Sequence, residues 1–262
     1  MIEQIPNTVM ETGVAHIIKK VASFVGASRP PVITKVRMAD VLPRRVVLAH
    51  TFTPEELLHM SYPEIHDARF DNDGMPFGWV NCAELAFRLE NPSADTMIEV
   101  IGFHIDREDL DVVAQASFLD ISQGDYGGEA WRFACPLTHA GAVRQRYEVV
   151  DHMVHFMGER DYFELSTLQL APAGHENVCL TLISNDRARV VKGVEIVYET
   201  RDGAECVAVP LPGVIRVFPL SNVPEAQRLR RSWQTRPPYA VAESDASLIP
   251  ADTRKCPWDD FA

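Results

Sequence analysis

The amino-acid sequence predicts an α+β protein that is mostly β, with an antiparallel sandwich-like core, about three flanking amphipathic helices and an extended C-terminal tail. Short segments rich in β-branched residues follow one another between residues 32 and 218, which is typical of strands. Apolar residues recur at helical spacing in only three long stretches. Strands and helices do not alternate regularly, so the sequence disfavours a doubly wound sheet or a β/α barrel.

The composition indicates an acidic globular protein. The chain has 262 residues, of which 46% are hydrophobic and 24% are charged, close to the average for globular domains. Its formal net charge is −12 at pH 7. Because phosphate-binding surfaces need clustered Lys and Arg, this charge disfavours nucleic acid and anionic membranes as partners.

The lack of a recognisable signal peptide and the spacing of the cysteines predict a cytoplasmic or otherwise intracellular protein. Residues 1–8 lack the basic start and apolar core of a secretory signal peptide, and no run of about 18 apolar residues could span a membrane. The five cysteines are far apart in the sequence. No pair of them has the two-residue gap that is typical of a zinc loop, so we expect reduced thiols.

The three long amphipathic helices are predicted near residue 8, over 138–157 and from Pro224 onwards. The first begins with a capping-box spacing of Thr8 and Glu11. The second has apolar residues three and four apart, and the third would pack through Leu229 and its neighbours. A further short helix is expected to begin at Thr53, which is followed by a proline and two glutamates.

The strands are predicted from a period of two and from turn residues. Leu85, Phe87 and Leu89 alternate with charged residues, which indicates one buried and one solvated face. Asp202-Gly203 separates two β-branched segments and predicts a hairpin between 190–199 and 205–209. The other predicted strands cover 32–36, 45–49, 97–105, 112–119, 130–135, 162–170, 178–183 and 214–218.

Three regions follow from this pattern. Residues 1–31 are expected to form an N-terminal helix and linker, 32–233 a β-rich core domain, and 234–262 an extended tail. The tail begins with two consecutive prolines and shows little periodicity. Its aromatic residues Tyr239, Trp258 and Phe261 are candidate partner-binding residues that would insert into a neighbouring subunit. The alternative is a disordered tail.

The second predicted helix contains a candidate metal site. Glu148, His152, His155 and Glu159 follow one another at spacings of four, three and four, so on a helix they would share one face. Imidazole and carboxylate groups in this arrangement can bind one divalent cation. The His-Glu-x-x-His signature is absent, and the alternative interpretation is a solvated face with weak pairs between side chains.

These observations leave two functions open. The sequence has no Gly-x-Ser-x-Gly elbow and no glycine-rich nucleotide-binding motif. We therefore favour a non-enzymatic interaction protein without a cofactor, a β-rich subunit that associates with itself or with other protein subunits through its terminal arms. The alternative is a metal-dependent, hydrolase-like enzyme that uses His152 and His155 with nearby carboxylates to activate water.

Overall fold

Two β-sheets contain nearly all of the described strands. The computed structural model describes residues 29–38, 44–48, 51–61, 64, 68, 78–111, 118–121, 130–138, 145–150, 153–158, 161–200, 203–223, 228–232 and 239–242. The elements in chain order are β1 (Val32–Met38), β2 (Arg44–Val47), α1 (Pro54–His59), β3 (Gly78–Val80), β4 (Cys82–Glu90), β5 (Ile98–Asp109), β6 (Phe118–Ile121), β7 (Trp131–Pro136), β8 (Gln145–Val150), β9 (Met153–Phe156), α2 (Tyr162–Leu165), β10 (Leu168–Leu170), β11 (His175–Ile183), β12 (Arg189–Thr200), β13 (Gly203–Ala208), β14 (Ile215–Phe218), a 3-10 turn (Leu220–Asn222), β15 (Leu229–Ser232) and β16 (Tyr239–Ala242).

The strand order defines sheet A and sheet B. Sheet A has six strands in the order β1-β4-β11-β7-β8-β9. Sheet B has eight strands in the order β10-β5-β12-β14-β3-β2-β6, with β13 paired alongside β12. Two pairs, β11 with β7 and β14 with β3, are parallel, so both sheets are mixed and the predicted antiparallel core is only partly correct.

The sheets pack face to face through one shared core. Leu85 and Phe133 of sheet A and Phe103 and Ile196 of sheet B all lie in it, each at most 2% exposed. Phe163 of α2 contacts the rings of both Phe103 and Phe133. Burying a side chain of this size contributes roughly 1.5–3 kcal/mol, so this core is the main source of stability for the sandwich.

Asn81 is the corner at which the chain passes from sheet B to sheet A, because it separates β3 from β4. Its φ of 62° lies in the left-handed region, which Asn tolerates better than most residues. The Asn81 N–H donates to the Phe218 carbonyl at 2.8 Å, and the Asn81 carbonyl accepts from the Ser184 N–H at 2.8 Å. The Asn81 side-chain oxygen accepts from the Leu220 N–H at 2.7 Å. These bonds fix the ends of three elements at one corner.

Two local predictions are confirmed. β12 and β13 form the predicted antiparallel hairpin, in which Thr200 lies opposite Gly203. The short helix α1 begins after Thr53 with a complete capping box, since the Glu56 N–H donates to the Thr53 hydroxyl and the Thr53 N–H donates to the Glu56 carboxylate.

The predicted fold class with three flanking amphipathic helices is wrong. The helix predicted over 138–157 is replaced by β8 and β9, which pair with each other and extend sheet A from β7. The helix predicted from Pro224 is replaced, where the structure describes it, by β15, which pairs with β16. In both places strand pairing supplies the backbone hydrogen bonds, and Tyr147 and Leu229 are buried as strand residues.

The remaining differences are local. The strand predicted over 162–170 is divided into the one-turn helix α2 and the short strand β10. The helix predicted near residue 8 lies outside the described residues. Within the part of the chain that the structure describes, no helix is both long and apolar enough to cross a membrane.

A buried arginine stabilises the connection between β11 and β12. The Arg189 side chain is 5% exposed and donates to both carboxylate oxygens of Asp186, at 2.5 and 2.8 Å. It also donates to Asp109 at 3.2 Å and to the Ser184 hydroxyl at 2.7 Å. Hydrogen bonding from Arg189 lowers the pKa of Asp186, and hydrogen bonding from Arg187 lowers the pKa of Asp109.

Gly78 permits the close packing of β3 on β14, and its substitution tests this packing. A Cβ atom on Gly78 would lie 2.4 Å from Cε2 of Phe218, whose side chain is 1% exposed and packed in a core cluster. We expect Gly78→Ala to lower the free energy of unfolding by about 1–3 kcal/mol in urea titrations. Gly102→Ala is the matched control, because its Cβ would have Val197 as nearest neighbour at 3.9 Å. Equal stabilities of the two variants would contradict the packing at Gly78.

The Arg189 ion pairs predict a stability that depends on pH. Because hydrogen bonding from Arg189 lowers the folded-state pKa of Asp186, this carboxylate stabilises the fold above its unfolded pKa of about 3.9. This stabilisation is lost as the pH falls through the lower folded pKa. We expect Arg189→Met to have a lower Tm than the wild type at pH 7, and the Tm difference to shrink below about pH 4. A Tm difference that is constant from pH 7 to pH 3 would show that the ion pairs do not contribute.

Candidate functional site

The β8–β9 hairpin forms one edge of sheet A. β8 pairs with β7 on one side and with β9 on the other, and β9 pairs with no other described strand. Tyr147 lies opposite Phe156, and Glu148 lies opposite His155. The hairpin therefore extends the sheet beyond the part that packs most closely on the shared core.

A buried polar cluster anchors this hairpin to the sheet face that points away from the shared core. Tyr147 is 1% exposed, and its hydroxyl is hydrogen-bonded to the Thr181 hydroxyl and donates to the Glu84 carboxylate at 3.2 Å. The Thr181 hydroxyl oxygen also lies 3.3 Å from the Glu84 carboxylate. Strand register brings these residues together, because Glu84 lies opposite Thr181 in adjacent strands.

Arg132 adds a buried positive charge to the cluster. It is 8% exposed and lies opposite Cys179 in the parallel pair of β7 and β11. Burial alone would lower the pKa of Arg132, but the neighbouring Cys179, Tyr147 and Glu84 outweigh that effect and raise it. Burial also raises the pKa of the Tyr147 hydroxyl far above its usual range, and Glu84 adds to this shift. Tyr147 is therefore a neutral hydrogen-bond donor beside the Glu84 carboxylate.

A second contact holds the opposite face of the hairpin. The Arg146 guanidinium lies 4.0 Å from the centroid of the Trp131 ring, a cation–π geometry. The Trp131 indole N–H donates to the Glu176 carboxylate at 3.1 Å. Tyr147 and Arg146 are neighbours in β8, so this strand is anchored through both faces of the sheet.

The outer strand of the hairpin is exposed and mostly apolar. Phe156 is 39% exposed and the adjacent Met157 is 51% exposed, and consecutive strand residues point to opposite faces. His155 is exposed as well. Residues 153–157 contain no Lys, Arg, Asp, Glu or Pro, although such residues usually protect an edge strand from pairing with another chain.

The predicted metal-site residues are only partly placed. Glu148 and His155 are brought directly opposite each other, by strand pairing instead of a helix. Arg146 lies 3.4 Å from the Glu148 carboxylate, and His152 and Glu159 fall outside the described residues. No group of three or more His, Cys, Asp or Glu side chains within the described ranges could hold a metal ion. The metal site remains a prediction.

The predicted partner-binding residues are also only partly placed. Tyr239 is the first residue of β16, where it lies opposite Ser232 of β15. Trp258 and Phe261 lie outside the described residues. Part of the segment predicted as an extended tail thus forms a short strand that pairs within its own chain, and the partner-binding role of the three aromatic residues remains a prediction.

The sequence analysis missed the buried cluster and the exposed strand. Glu84, Arg132, Tyr147 and Thr181 are far apart in the sequence, so no local pattern connects them. The hairpin did have a local signal, since Tyr147 and Val149 alternate with charged and β-branched residues, and Val154 and Phe156 alternate after Asp151-His152. The same apolar residues also fit a helical period.

Comparison of the chain with protein-family models, with curated protein sequences and with solved structures finds no significant match.

The Tyr147 hydroxyl offers a direct test of the buried cluster. Tyr147→Phe removes a donor from Glu84 and a partner from Thr181, both of which are buried, so we expect a loss of about 1–3 kcal/mol in the free energy of unfolding. Tyr198→Phe is the matched control, because the Tyr198 hydroxyl donates to Glu205, an exposed residue whose carboxylate water can solvate. Urea unfolding measures both variants. A Tyr147→Phe variant no less stable than Tyr198→Phe would show that the cluster does not anchor β8.

Proposed function

We propose that the chain is a non-enzymatic interaction protein, a β-rich subunit that assembles through the β8–β9 hairpin. One observation carries this proposal: Phe156 of β9 and the adjacent Met157 are exposed apolar side chains, residues 153–157 contain no Lys, Arg, Asp or Glu, and no described strand pairs with the outer side of β9. A strand edge of this kind is a template for a further strand, because its backbone groups supply affinity and its side chains supply specificity.

The opposite edge of sheet A supports this choice by contrast. β1 contains an irregular register between Thr34 and Arg37, and Lys35 has a left-handed φ of 53°. A bulge and charged side chains hinder pairing with another chain. Within the described residues, β1 therefore carries protective features that β9 lacks.

The rigid anchoring of the hairpin also favours an interaction role. Tyr147 and Arg146 hold β8 through opposite faces, so β9 is presented on a strand whose position is already fixed. A surface that is ordered before binding loses less conformational entropy when a partner binds. In the same proposal, the terminal arm with Tyr239, Trp258 and Phe261 contributes additional contacts to neighbouring subunits.

The second candidate function is a metal-dependent enzyme. The observation that favours it is the cross-strand pair of Glu148 and His155, since an imidazole and a carboxylate in adjacent strands could supply two ligands to one divalent cation. Metal analysis of the purified protein separates the two functions, because a stoichiometric tightly bound metal would support the enzyme.

The proposed function predicts self-association that depends on β9. We expect the wild-type protein to have a solution mass well above the 29.3 kDa of one chain in sedimentation or light-scattering measurements at tens of micromolar. Met157→Lys places a charge beside the exposed Phe156 side chain, and we expect it to lower this mass by weakening association at least tenfold. Leu165→Lys on α2 is the control, since Leu165 is 69% exposed and lies outside the hairpin.

Two outcomes would contradict the proposed function. A wild-type protein that remains monomeric over this concentration range would show that the chain does not self-assemble. An assembly whose mass is unchanged by Met157→Lys would show that it forms through another surface.

A further inference from the structure

We propose that β13 is the docking edge for an extended, basic segment of a partner protein, which adds an antiparallel strand to sheet B. Lys or Arg side chains of this segment would lie over the small side chains of β13 and reach Glu195 and Glu199 of β12. The surface lies in a different sheet from the β8–β9 hairpin, and its role does not depend on that hairpin. Its support comes from the backbone direction of β13, the exposure of this strand and the charges beside it.

The backbone of β13 determines which of its groups a new strand can reach. The Val209 N–H, directly after β13, donates to the Val194 carbonyl of β12 at 2.8 Å. Because the backbone groups of successive residues in an antiparallel ladder point to opposite sides, the odd-numbered residues of β13 also point theirs towards β12. The backbone groups of Ala204, Cys206 and Ala208 point away from it. No described strand pairs with this outer side of β13, so an added strand would bond at these three residues.

β13 is accessible and lacks the usual protection of an edge strand. All of its residues are exposed except Val207, which is half-buried. The strand contains no Lys, Arg or Pro, although such residues commonly hinder the pairing of an edge with another chain. Its single charged residue, Glu205, points to the core side of the sheet, where it accepts from the Tyr198 hydroxyl at 2.7 Å. The outer side of β13 is therefore open to a further strand.

The outer face of sheet B is acidic next to β13. The even-numbered residues of β12 from Val194 to Tyr198 lie in the core, so Glu195 and Glu199 point to the outer face. Glu199 lies opposite Glu99 of β5, and burial together with this neighbouring carboxylate raises the pKa of Glu199. Like charges in opposite positions destabilise a sheet. A positive charge supplied by a partner would relieve this repulsion.

The cations of sheet B leave Glu199 without a charge partner. Lys192 of β12 is bonded to Glu108 at 2.7 Å. His104 lies 3.5 Å from the Glu195 carboxylate and neutralises it only when the imidazole is protonated. Within the described part of the chain, Glu199 forms no ion pair. A basic partner would therefore meet a carboxylate that is not already neutralised.

The register of β12 and β13 places small side chains between a new strand and these carboxylates. Ala204 lies opposite Glu199, and Ala208 lies opposite Glu195. An added strand would lie two strand spacings, about 10 Å, from β12. A Lys or Arg opposite either alanine can lay its aliphatic stem across the methyl group and extend its charged end to the glutamate. Charge complementarity thus favours a segment with basic residues four positions apart.

The same charges disfavour a second copy of this chain at β13. Each copy has a formal net charge of −12. Pairing of two β13 strands would bring Glu195 and Glu199 of both copies to the two sides of one contact, and β13 contributes Glu205 but no basic residue between them. Like-charge contacts of this kind oppose association, so the favoured occupant is a different, basic chain.

Binding of synthetic peptides to the 262-residue chain tests the partner chemistry and the strand edge together. The probe is a fluorescently labelled Thr-Lys-Thr-Val-Thr-Lys-Thr peptide, in which the two Lys residues are four positions apart. We expect saturable binding in fluorescence polarisation, weakened about tenfold or more when both Lys residues are replaced by Glu. N-methylation of the central Val, whose N–H would face β13, should abolish binding. N-methylation of the Thr that follows it is the matched control and should not, because that N–H would point away.

Variants of the chain test the same contacts from the other side. Glu199→Gln should weaken binding of the Lys peptide about threefold, the effect of one exposed ion pair. Glu164→Gln is its control, because Glu164 is exposed on α2 and the change in net charge is the same. Cys206→Pro removes an N–H that points outwards, a position at which edge strands accept proline, and should abolish binding, whereas Cys206→Ala should not. If Cys206→Pro does not fold, the N-methylated peptides decide the same point.

Several results would overturn the proposed docking edge. These are no binding of the Lys peptide, equal binding of the Lys and Glu peptides, equal effects of the two N-methylations, and equal effects of Glu199→Gln and Glu164→Gln. A wild-type oligomer whose mass falls with Cys206→Pro would show that a second copy occupies β13, which also contradicts a basic partner. The proposed function is judged separately, by the effect of Met157→Lys on the solution mass.

Discussion

Asn81 is the constraint on which the arrangement of the two sheets depends. A single residue connects β3 of sheet B with β4 of sheet A, so its conformation sets the direction in which the chain enters the second sheet. The left-handed backbone turns the chain, and hydrogen bonds to Phe218, Ser184 and Leu220 join the corner to β14, to the end of β11 and to the 3-10 turn. The parallel pairing of β3 with β14 and the antiparallel pairing of β4 with β11 begin at this corner. A different conformation at one residue would displace both.

The strand register that this corner sets determines the register of every following strand of sheet A as far as the hairpin. β4 aligns β11, β11 aligns β7, and β7 aligns β8. Glu84, Arg132, Tyr147 and Thr181 meet on one face because each pairing is in register, and a shift of one residue in any of them would turn a buried charge or hydroxyl towards the core. Burying Arg132 and Glu84 is costly unless both are well surrounded by polar partners. The cluster thus discriminates strongly between the correct register and its neighbours.

The sequence predicts those parts of the fold that depend on local chemistry. The capping box at Thr53 and the hairpin of β12 and β13 follow from residue types at short spacing, and both are confirmed. The alternation in β4 correctly predicts that Leu85, Phe87 and Leu89 are buried, but Glu84, which was expected on the solvated face, is only 5% exposed. Sheet order and the buried cluster depend on contacts between residues as many as 138 positions apart, such as Trp79 and Val217. A local periodicity in the sequence carries no information about such contacts. The helix predicted over 138–157 failed for a related reason. Its apolar residues fit a period of 3.6 as well as a period of two, and pairing with β7, which local spacing cannot reveal, decided between the two periods.

The hairpin combines two features that seldom occur in the same element. Its inner strand is held by buried polar groups, and their burial lowers the stability of the fold unless the strands pair in the correct register. Its outer strand contains none of the charged residues or prolines that hinder pairing with another chain. Departures from local rules tend to concentrate where a protein functions, and both departures lie in adjacent strands of one sheet edge. A strongly anchored β8 and an unprotected β9 are explained together if β9 must be held in a fixed position for another strand to pair with it. A hairpin without a function would require neither the unfavourable burial of the Arg132 charge in the neighbouring strand nor the exposure of the apolar Met157 side chain at the sheet edge.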